Sequence, residues 1–588
     1  MRSIFLTIIL GFVSLLSYSQ KLQINGNVVD ASGAALPGVN ILVKNTSLGG
    51  ITDFDGNFAI ANVPTGSVLQ VSYVGFTTKE VKLTNSNFLK IQLQEDSQAL
   101  EEVVIIGYGT QKKSVVTGAI SSVKASDLEN LPIERVEQAI QGRVAGVVIA
   151  SDSGQPGSSS TVRVRGITTF DTYGGNTPLW VVDGVIVDSG GIGYLNQSDI
   201  ESIEVLKDAA SLAIYGARAA SGVLLVTTKK GKKGKMSVSY NGFSGFSGPA
   251  KKLNLLNATH YGALMNERSV ASGGPIVFPD LSVLGVGTDW QDVIFNDGAM
   301  RTSHEVSLTT GNDTSTFFAS FGLSDQEGIV MSDVSKFNRK NIRLNSTHQI
   351  SEIFKVGQTL GYAHKKSKGI GSNSEYGGPL SSAINLDPIT PVVVTDPVIA
   401  NAPPYSNNPV FRDANGNPYG ISTLVGQEMT NPLADIQRSM GNYGWSDDMV
   451  GNAYIEATPL EGLTLKTTVG GKLAYWGDEG FTPEYYLQAT SVNTQNRLYR
   501  SRSKGFGWNV ENTIVYTKEF DKHDFSLLVG QGAYVDGISS GVNITYFNLP
   551  VTSREQASFN FAVTDDQKVG GSWTGTEHKV TSLFSRLT

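Results

Sequence analysis

From about Lys235 onward, apolar and polar residues alternate with a period of two. Phe317, Ala319, Phe321 and Leu323 share one face of a strand, as do Leu463, Leu465, Val469, Leu473 and Tyr475. The pattern returns at Phe506, Trp508, Val510, Ile514 and Tyr516, and again at Phe525, Leu527, Val529, Ala533 and Val535. The opposite faces hold mostly Lys, Thr, Gly, Ser and Asn. Successive Cβ atoms of a strand point to opposite sides of a sheet, so each segment has one apolar and one polar face. Repeated over strands of about ten residues, this is the pattern of a β-barrel that crosses a bilayer with its polar face inward. A soluble sandwich alternates in the same way over shorter strands. The length of the series, and the segment before it, favour the barrel.

Upstream the pattern is different. Residues 21–93 break into short alternating runs separated by turn signals, which predicts a small β-sandwich. Within it, Asp53-Phe54-Asp55-Gly56 lacks the remaining ligands of a twelve-residue calcium loop, so a β-turn with Gly56 at positive φ is expected. Residues 94–117 read as a polar, acidic linker leading into Val103-Val104-Ile105-Ile106. Four β-branched residues with no evident partner nearby form a strand suited to addition to another protein's sheet edge. In residues 118–230, a helix is predicted over Ile133 to Val144, with Pro132 near its start and Gly146 beyond its end. Ile200, Ile203, Val205 and Leu206 sit close to helical spacing, Ala209 to Ala213 favours helix, and Val223 to Thr228 predicts a strand. Val162-Arg163-Val164-Arg165 alternates, which would put both arginines on one face.

Five segments occur in a telling order: ALEEVVIIGYGT (Ala99 to Thr110), LPIERVEQAIQGRVAGVVI (Leu131 to Ile149), VRVRGI (Val162 to Ile167), TPLWVVDGVIVD (Thr177 to Asp188), and Asp199 to Gly231. Together they resemble the plug of a TonB-dependent outer-membrane receptor of the SusC/RagA-like branch. The sandwich resembles the carboxypeptidase-regulatory-like domain that often precedes such a plug, and it carries no catalytic zinc motif. The resemblance implies a mainly β protein in the outer membrane: sandwich and mixed α/β plug facing the periplasm, then an antiparallel barrel from residue 235. It implies a TonB box at Glu102, Val103, Val104, Ile105 and Ile106, gripped by a TonB-type energy transducer. It also implies a SusD-like surface lipoprotein as partner and a large nutrient as cargo, an oligosaccharide before a peptide.

A plug needs polar groups toward a polar barrel wall, and Arg163, Arg165, Asp183, Glu204, Lys207, Asp208 and Arg218 are the candidates. The family at large commonly has an Arg-Gly-Pro turn where this chain has Lys207-Asp208-Ala209, so iron-chelate contacts do not transfer. Gly369 to Tyr443 is rich in Pro, Asn and Gly with little periodicity and reads as an extracellular loop. Tyr405, Trp445 and Trp476, in and near it, are candidate substrate aromatics.

Residues 1–19 have the layout of a secretory signal peptide, with cleavage expected after Ser19. The chain has no cysteine, which excludes disulfides, thiolate chemistry and lipid attachment at an N-terminal cysteine. Its net charge of -7, with Lys+Arg 46 against Asp+Glu 53, does not suggest nucleic acid. The basic run Lys229 to Lys235 reads as a solvated connector. No HExxH, GxSxG or GxxxxGK[ST] pattern is present, so no enzyme, metal or cofactor is expected. About eleven strands fit after Gly231, where plugged transporters use about 22, so an incomplete barrel is expected. Two other functions stay open: a metal-chelate or vitamin receptor of the same fold, and a surface binding or adhesion protein that does not transport.

Overall fold

The structure, a computed structural model, describes residues 21–588 apart from 32, 45, 47, 65, 74, 75, 84–87, 95–102, 106–109, 113–119, 129–134, 152, 171–175, 188–190, 209–211, 371–377, 427, 428, 521 and 522. The expected leader therefore lies outside the described residues, as do Glu102 and Ile106 of the expected box. The chain forms two compact units, 1–117 and 118–588.

The first unit is a sandwich of two small sheets. Its strands are β1 (Lys21–Val29), β2 (Asn40–Val43), β3 (Gly49–Ile51), β4 (Asn57–Pro64), β5 (Val68–Ser72), β6 (Lys79–Lys82) and β7 (Phe88–Gln92). One sheet runs β4-β1-β7 and the other β3-β2-β5-β6. In β2, Ile41 and Val43 point inward while Asn40 and Leu42 face out. With Ile24, Val28, Phe58, Ile60, Leu69, Val71 and Ile91 they make the core. Each such side chain contributes about 1.5–3 kcal/mol on burial. Asp53 Oδ1 accepts the amides of Asp55 and Asn57 at 3.0 and 2.8 Å, and Gly56 sits at φ 76, so the acidic tetrapeptide is the expected turn. One expectation is corrected here. The strand β8 (Val103–Ile105) has a partner in its own neighbourhood, pairing antiparallel with β9 (Thr110–Lys112).

The second unit is a plug and a curved sheet. The plug strands are β10 (Ile120–Lys124), β11 (Val147–Ser151), β12 (Ser160–Val164), β13 (Leu179–Val182), β14 (Val185–Val187), β15 (Ile200–Leu206) and β16 (Val223–Thr228). Five form a sheet in the order β10-β15-β16-β13-β14, and β11 pairs with β12. Ile200 to Leu206 is thus a strand where helical spacing was read. The reason is an irregularity between Ile200 and Ser202. One extra residue shifts the phase, so Ile200 joins Ile203 and Val205 in a single core at a spacing that imitates a helix turn. Of the helix expected over Ile133 to Val144, the described residues form one turn, Val136–Ala139, and Ile133 and Glu134 lie outside them. Gly142 and Gly146, at φ 72 and 77, turn the chain back. Residues 209–211 of the stretch expected to favour helix lie outside the described residues, and Ala213–Ala219 is a 3-10 segment kinked at Gly216.

The large sheet contains β17 (Gly234–Ser247), β18 (Ala299–Gly311), β19 (Ser315–Glu327), β20 (Lys336–Gln349), β21 (Phe354–Lys368), β22 (Tyr443–Leu460) and β23 (Leu463–Thr482). After a small hairpin, β24 (Tyr485–Gln488) with β25 (Ser491–Asn493), it continues through β26 (Arg497–Phe520), β27 (His523–Phe547), β28 (Lys568–Thr574) and β29 (His578–Leu587). These eleven strands pair antiparallel, following chain order up to β27, which carries β28 and β29 end to end along one side. The sheet is not closed into a ring, as the strand estimate implied. Its two faces invert the usual rule for water-soluble proteins. On β19, Phe317, Phe321 and Leu323 are exposed, whereas Ser320 and Ser324 are buried. On β20, Arg339, Asn341, Arg343 and Asn345 are buried, and Ile342 is exposed. Apolar outside and polar inside is what lipid and a polar filling require.

Between β21 and β22 no described residue belongs to the sheet. Short helices start there at Pro379, Pro397 and Pro432, the last two capped by Asp396 and Asn431. Among the described residues no helix is long and apolar enough to cross a membrane.

Candidate functional site

The plug meets the inner wall of the sheet through buried polar groups. Strands β13 and β14 are joined by Asp183-Gly184, at φ 49 and 87, the pair of positive values that a tight two-residue hairpin turn demands. This turn pushes Asp183 against β20. There Arg343 Nη2 lies 2.6 Å from Asp183 Oδ2, with the two side chains 4% and 6% exposed. Asp183 also accepts the Thr228 amide at 3.0 Å and the Thr228 hydroxyl at 2.6 Å, so the last residue of β16 is tied into the same cluster. The Arg343 guanidinium also donates to Thr228 Oγ1 at 2.7 Å.

The surrounding wall supplies further donors to plug acceptors. Asn345 donates to the Lys229 carbonyl at 2.5 Å, and Arg339 to the Leu195 carbonyl at 3.1 Å and to Asn196 Oδ1 at 3.3 Å. Asn452 on β22 reaches the Asp183 carbonyl, and Asn509 on β26 the Gly184 carbonyl at 3.1 Å. Plug backbone groups that water would otherwise satisfy are thereby satisfied by the barrel. A second cluster is acidic. Asp199 accepts from Ser320 on β19, and Asn196 and Ser198 of the plug both donate to Glu305 on β18. Burial holds the Asp199 carboxyl above its usual range, against the opposing pull of Arg343, Ser320, Arg339 and Lys229.

Beyond the plug, the inner wall opens. A cavity of about 640 Å³ is lined by Arg438, Asn442, Arg497, Tyr499, Ser501 and Asn543 among others. Register places Trp476 on the same inward face as Gly470, against which plug Val185 packs.

Residues 24–105 match the CarboxypepD_reg-like domain family, and residues 112–223 match the TonB-dependent Receptor Plug Domain family. The chain is 32% identical over 558 residues to the TonB-dependent receptor SusC of Bacteroides thetaiotaomicron, covering 90% of this chain and 52% of that protein. It is also 32% identical over 517 residues to a TonB-dependent receptor of Formosa agariphila, covering 86% of this chain and 48% of that one. The chain belongs to the SusC-like TonB-dependent receptors. It spans about half the length of the curated relatives it matches. A solved structure described as the RagAB peptide importer in an open-open state shares the fold, with TM-score 0.67 and 23% identity over 83% of this chain and 54% of that one.

In this SusC-like receptor the candidate wall contacts separate into two groups. Asp183 touches the wall as described, and Arg218 lies over the Tyr534 ring of β27, 4.2 Å from its centroid. For the others the structure shows the following places in the plug. Glu204 is buried on β15 beside Ser202 and Ser122, and burial raises its pKa. Lys207 donates to Ser121 and to the Ala145 carbonyl at 2.8 and 2.9 Å. The Asp208 carbonyl accepts the Leu212 amide. Arg163 pairs across the β11–β12 hairpin with Val148. Arg165 does not share its face as expected: β12 ends at Val164, and Arg165 turns away at φ 57.

The aromatics also divide. Tyr405 is buried inside the loop with Val394 and Ala400, its hydroxyl accepting the Ile421 amide at 2.9 Å, so it has no surface to offer a substrate. Trp445 lies beneath Arg502 on the face opposite the plug. Trp476 alone of the three looks into the lumen. The sequence reading missed the donors Arg339, Asn341, Arg343 and Asn345. Their signal was a strand with Arg and Asn at every second position, alternating with Lys340, Ile342 and Leu344.

Proposed function

We propose that this receptor imports a large nutrient, an oligosaccharide, across the outer membrane, with its sandwich and plug on the periplasmic side. The observation that carries the reading is the seat of the plug. Asp183, Thr228 and Arg343 form a small, dry, charge-assisted cluster in which plug and wall each supply a charge that the other must neutralise. Such a contact holds firmly at rest, and one displacement breaks all of it, because a buried charge without its partner is strongly disfavoured. In this reading a TonB-type transducer takes hold of Glu102 to Ile106 and pulls, and a SusD-like lipoprotein helps capture substrate outside. The pairing of β8 with β9 means that the transducer's sheet would replace a hairpin partner, exchanging one set of backbone hydrogen bonds for another.

Deletion of Glu102 to Ile106 in the native strain is expected to abolish uptake and growth on the nutrient while surface binding persists. Retained uptake would overturn the proposal. A peptide cargo is the second reading, supported by the fold shared with a peptide importer, and substrate-limited growth on peptides rather than glycans distinguishes it.

A further inference from the structure

The inner wall carries a second aromatic that pairs with Trp476. Trp573 on β28 stands in register with Gly541 of β27, which in turn is in register with Ser503 of β26, and Ser503 with Trp476 of β23. Two indoles thus flank two strands that bear only a glycine and a serine between them. A Cβ on Gly541 would meet Trp573 and, at 2.6 Å, Ser503 Oγ, while a Cβ on Gly505 would come within 3.1 Å of the Trp476 ring. The small residues therefore leave room for the rings to lie over the wall. Their centroids are 6.5 Å apart with planes inclined by 42°. Both remain open, Trp476 36% and Trp573 43% exposed.

Their position along the wall is informative. On the same inward row of β26, Asn509 holds the plug, Gly507 adjoins the Lys472–Asp536 ion pair, and Ser503 sits between the indoles. The platform therefore lies on the loop side of the plug, next to the cavity lined by Tyr499, Ser501 and Asn543. Small polar groups surround it: Ser446 in register with Trp476, and Ser501 donating to the Asp478 carboxylate at 3.4 Å.

We infer that Trp476 and Trp573 form a stacking platform for successive rings of an oligosaccharide chain. This deepens the proposed function and rests on it. A sugar ring has an apolar C–H face that covers an indole and an edge of hydroxyls that needs donors and acceptors beside it, and this wall offers both. Of the strands under the platform, β26 and β27 are laddered on both sides, whereas β28, which bears Trp573, is the last strand of the sheet.

The test uses the full-length receptor complex extracted in mild detergent, offered in parallel to a glycan array and a library of protein-digest peptides. The expected result is glycan binding, weakened roughly threefold to tenfold by each of Trp476→Ala and Trp573→Ala. Trp476→Phe should keep most of the affinity, and Trp445→Ala on the outer face should keep all of it. Glycan binding indifferent to both lumenal variants would overturn the inference while leaving transport intact as a reading. Binding of peptides alone, or of neither library, would overturn it as well. Loss of uptake on deleting the box, together with wild-type glycan affinity in W476A and W573A, would refute the platform only.

Discussion

Two residues of one inward-facing row on β26 do opposite work. Asn509 is 2% exposed and hydrogen-bonded to the plug, whereas Ser503, six positions earlier in the chain, lies beside two indoles open to the lumen. The strand, the face and the alternation are the same at both positions. The difference lies in what stands opposite. Where the plug fills the curve of the sheet, Asn509, Arg339, Arg343 and Asn345 each donate to a plug acceptor, because a buried unsatisfied group costs about 1–3 kcal/mol. Past the plug there is water, and polar and aromatic groups stay available for a ligand. The lower wall is thus a lock and the upper wall a surface.

The comparison is broken most sharply at Arg343. Arg343→Ala strands Asp183 in a dry site, and a loss of about 3–5 kcal/mol in plug stability is expected, read as denaturant-induced protease sensitivity of residues 179–228. An effect below about 1 kcal/mol would mean that water enters the seat and that the lower wall is no lock.

Asp199 gives a smaller, pH-dependent effect. Burial holds its carboxyl above the ordinary 3.8, so the protonated form stabilises the fold fully below that pH. The stabilisation is lost as pH rises through the folded-state value, where the charge must form in a dry site beside Glu305. Asn at this position cannot ionise. The unfolding midpoint of Asp199→Asn should therefore gain on wild type as pH is raised from about 4 to about 7. A constant offset between the two proteins would contradict this account.

The least effect belongs to the upper wall. Lys365 and Asp448 pair at 2.9 Å but remain 20% and 19% exposed, and Lys365→Ala should cost no more than about 1 kcal/mol. A loss comparable to that of Arg343→Ala would erase the distinction between the two levels.

Much of the fold was legible because period two is a local property. Phe317, Phe321 and Leu323 could be assigned to one face before any partner strand was known, and the structure exposes all three. The turn at Gly56 was legible for the same reason: its cause lies within four residues. The plug was harder. A single irregularity in β15 gave Ile200, Ile203 and Val205 helical spacing, and only pairing with β10 and β16 reveals a strand. Glu204 had the right chemistry for a wall contact, yet it is buried on β15 beside Ser202 and Ser122, whereas Asp183 reaches the wall because two positive-φ residues aim it there. Tyr405 had the ring of a substrate aromatic and spends it on packing the loop.

By itself, then, the sequence determined which side chains share a face, where strands give way to loop, and which family's order of segments the chain follows. These depend on neighbours within a few residues or on order along the chain. Tertiary structure alone decided which polar residues meet. The Asp183–Arg343 pair joins positions 160 residues apart, and the Trp476–Trp573 pair joins strands separated by two others. Such encounters are set by how the sheet curves and what fills it, and no spacing along the chain encodes them.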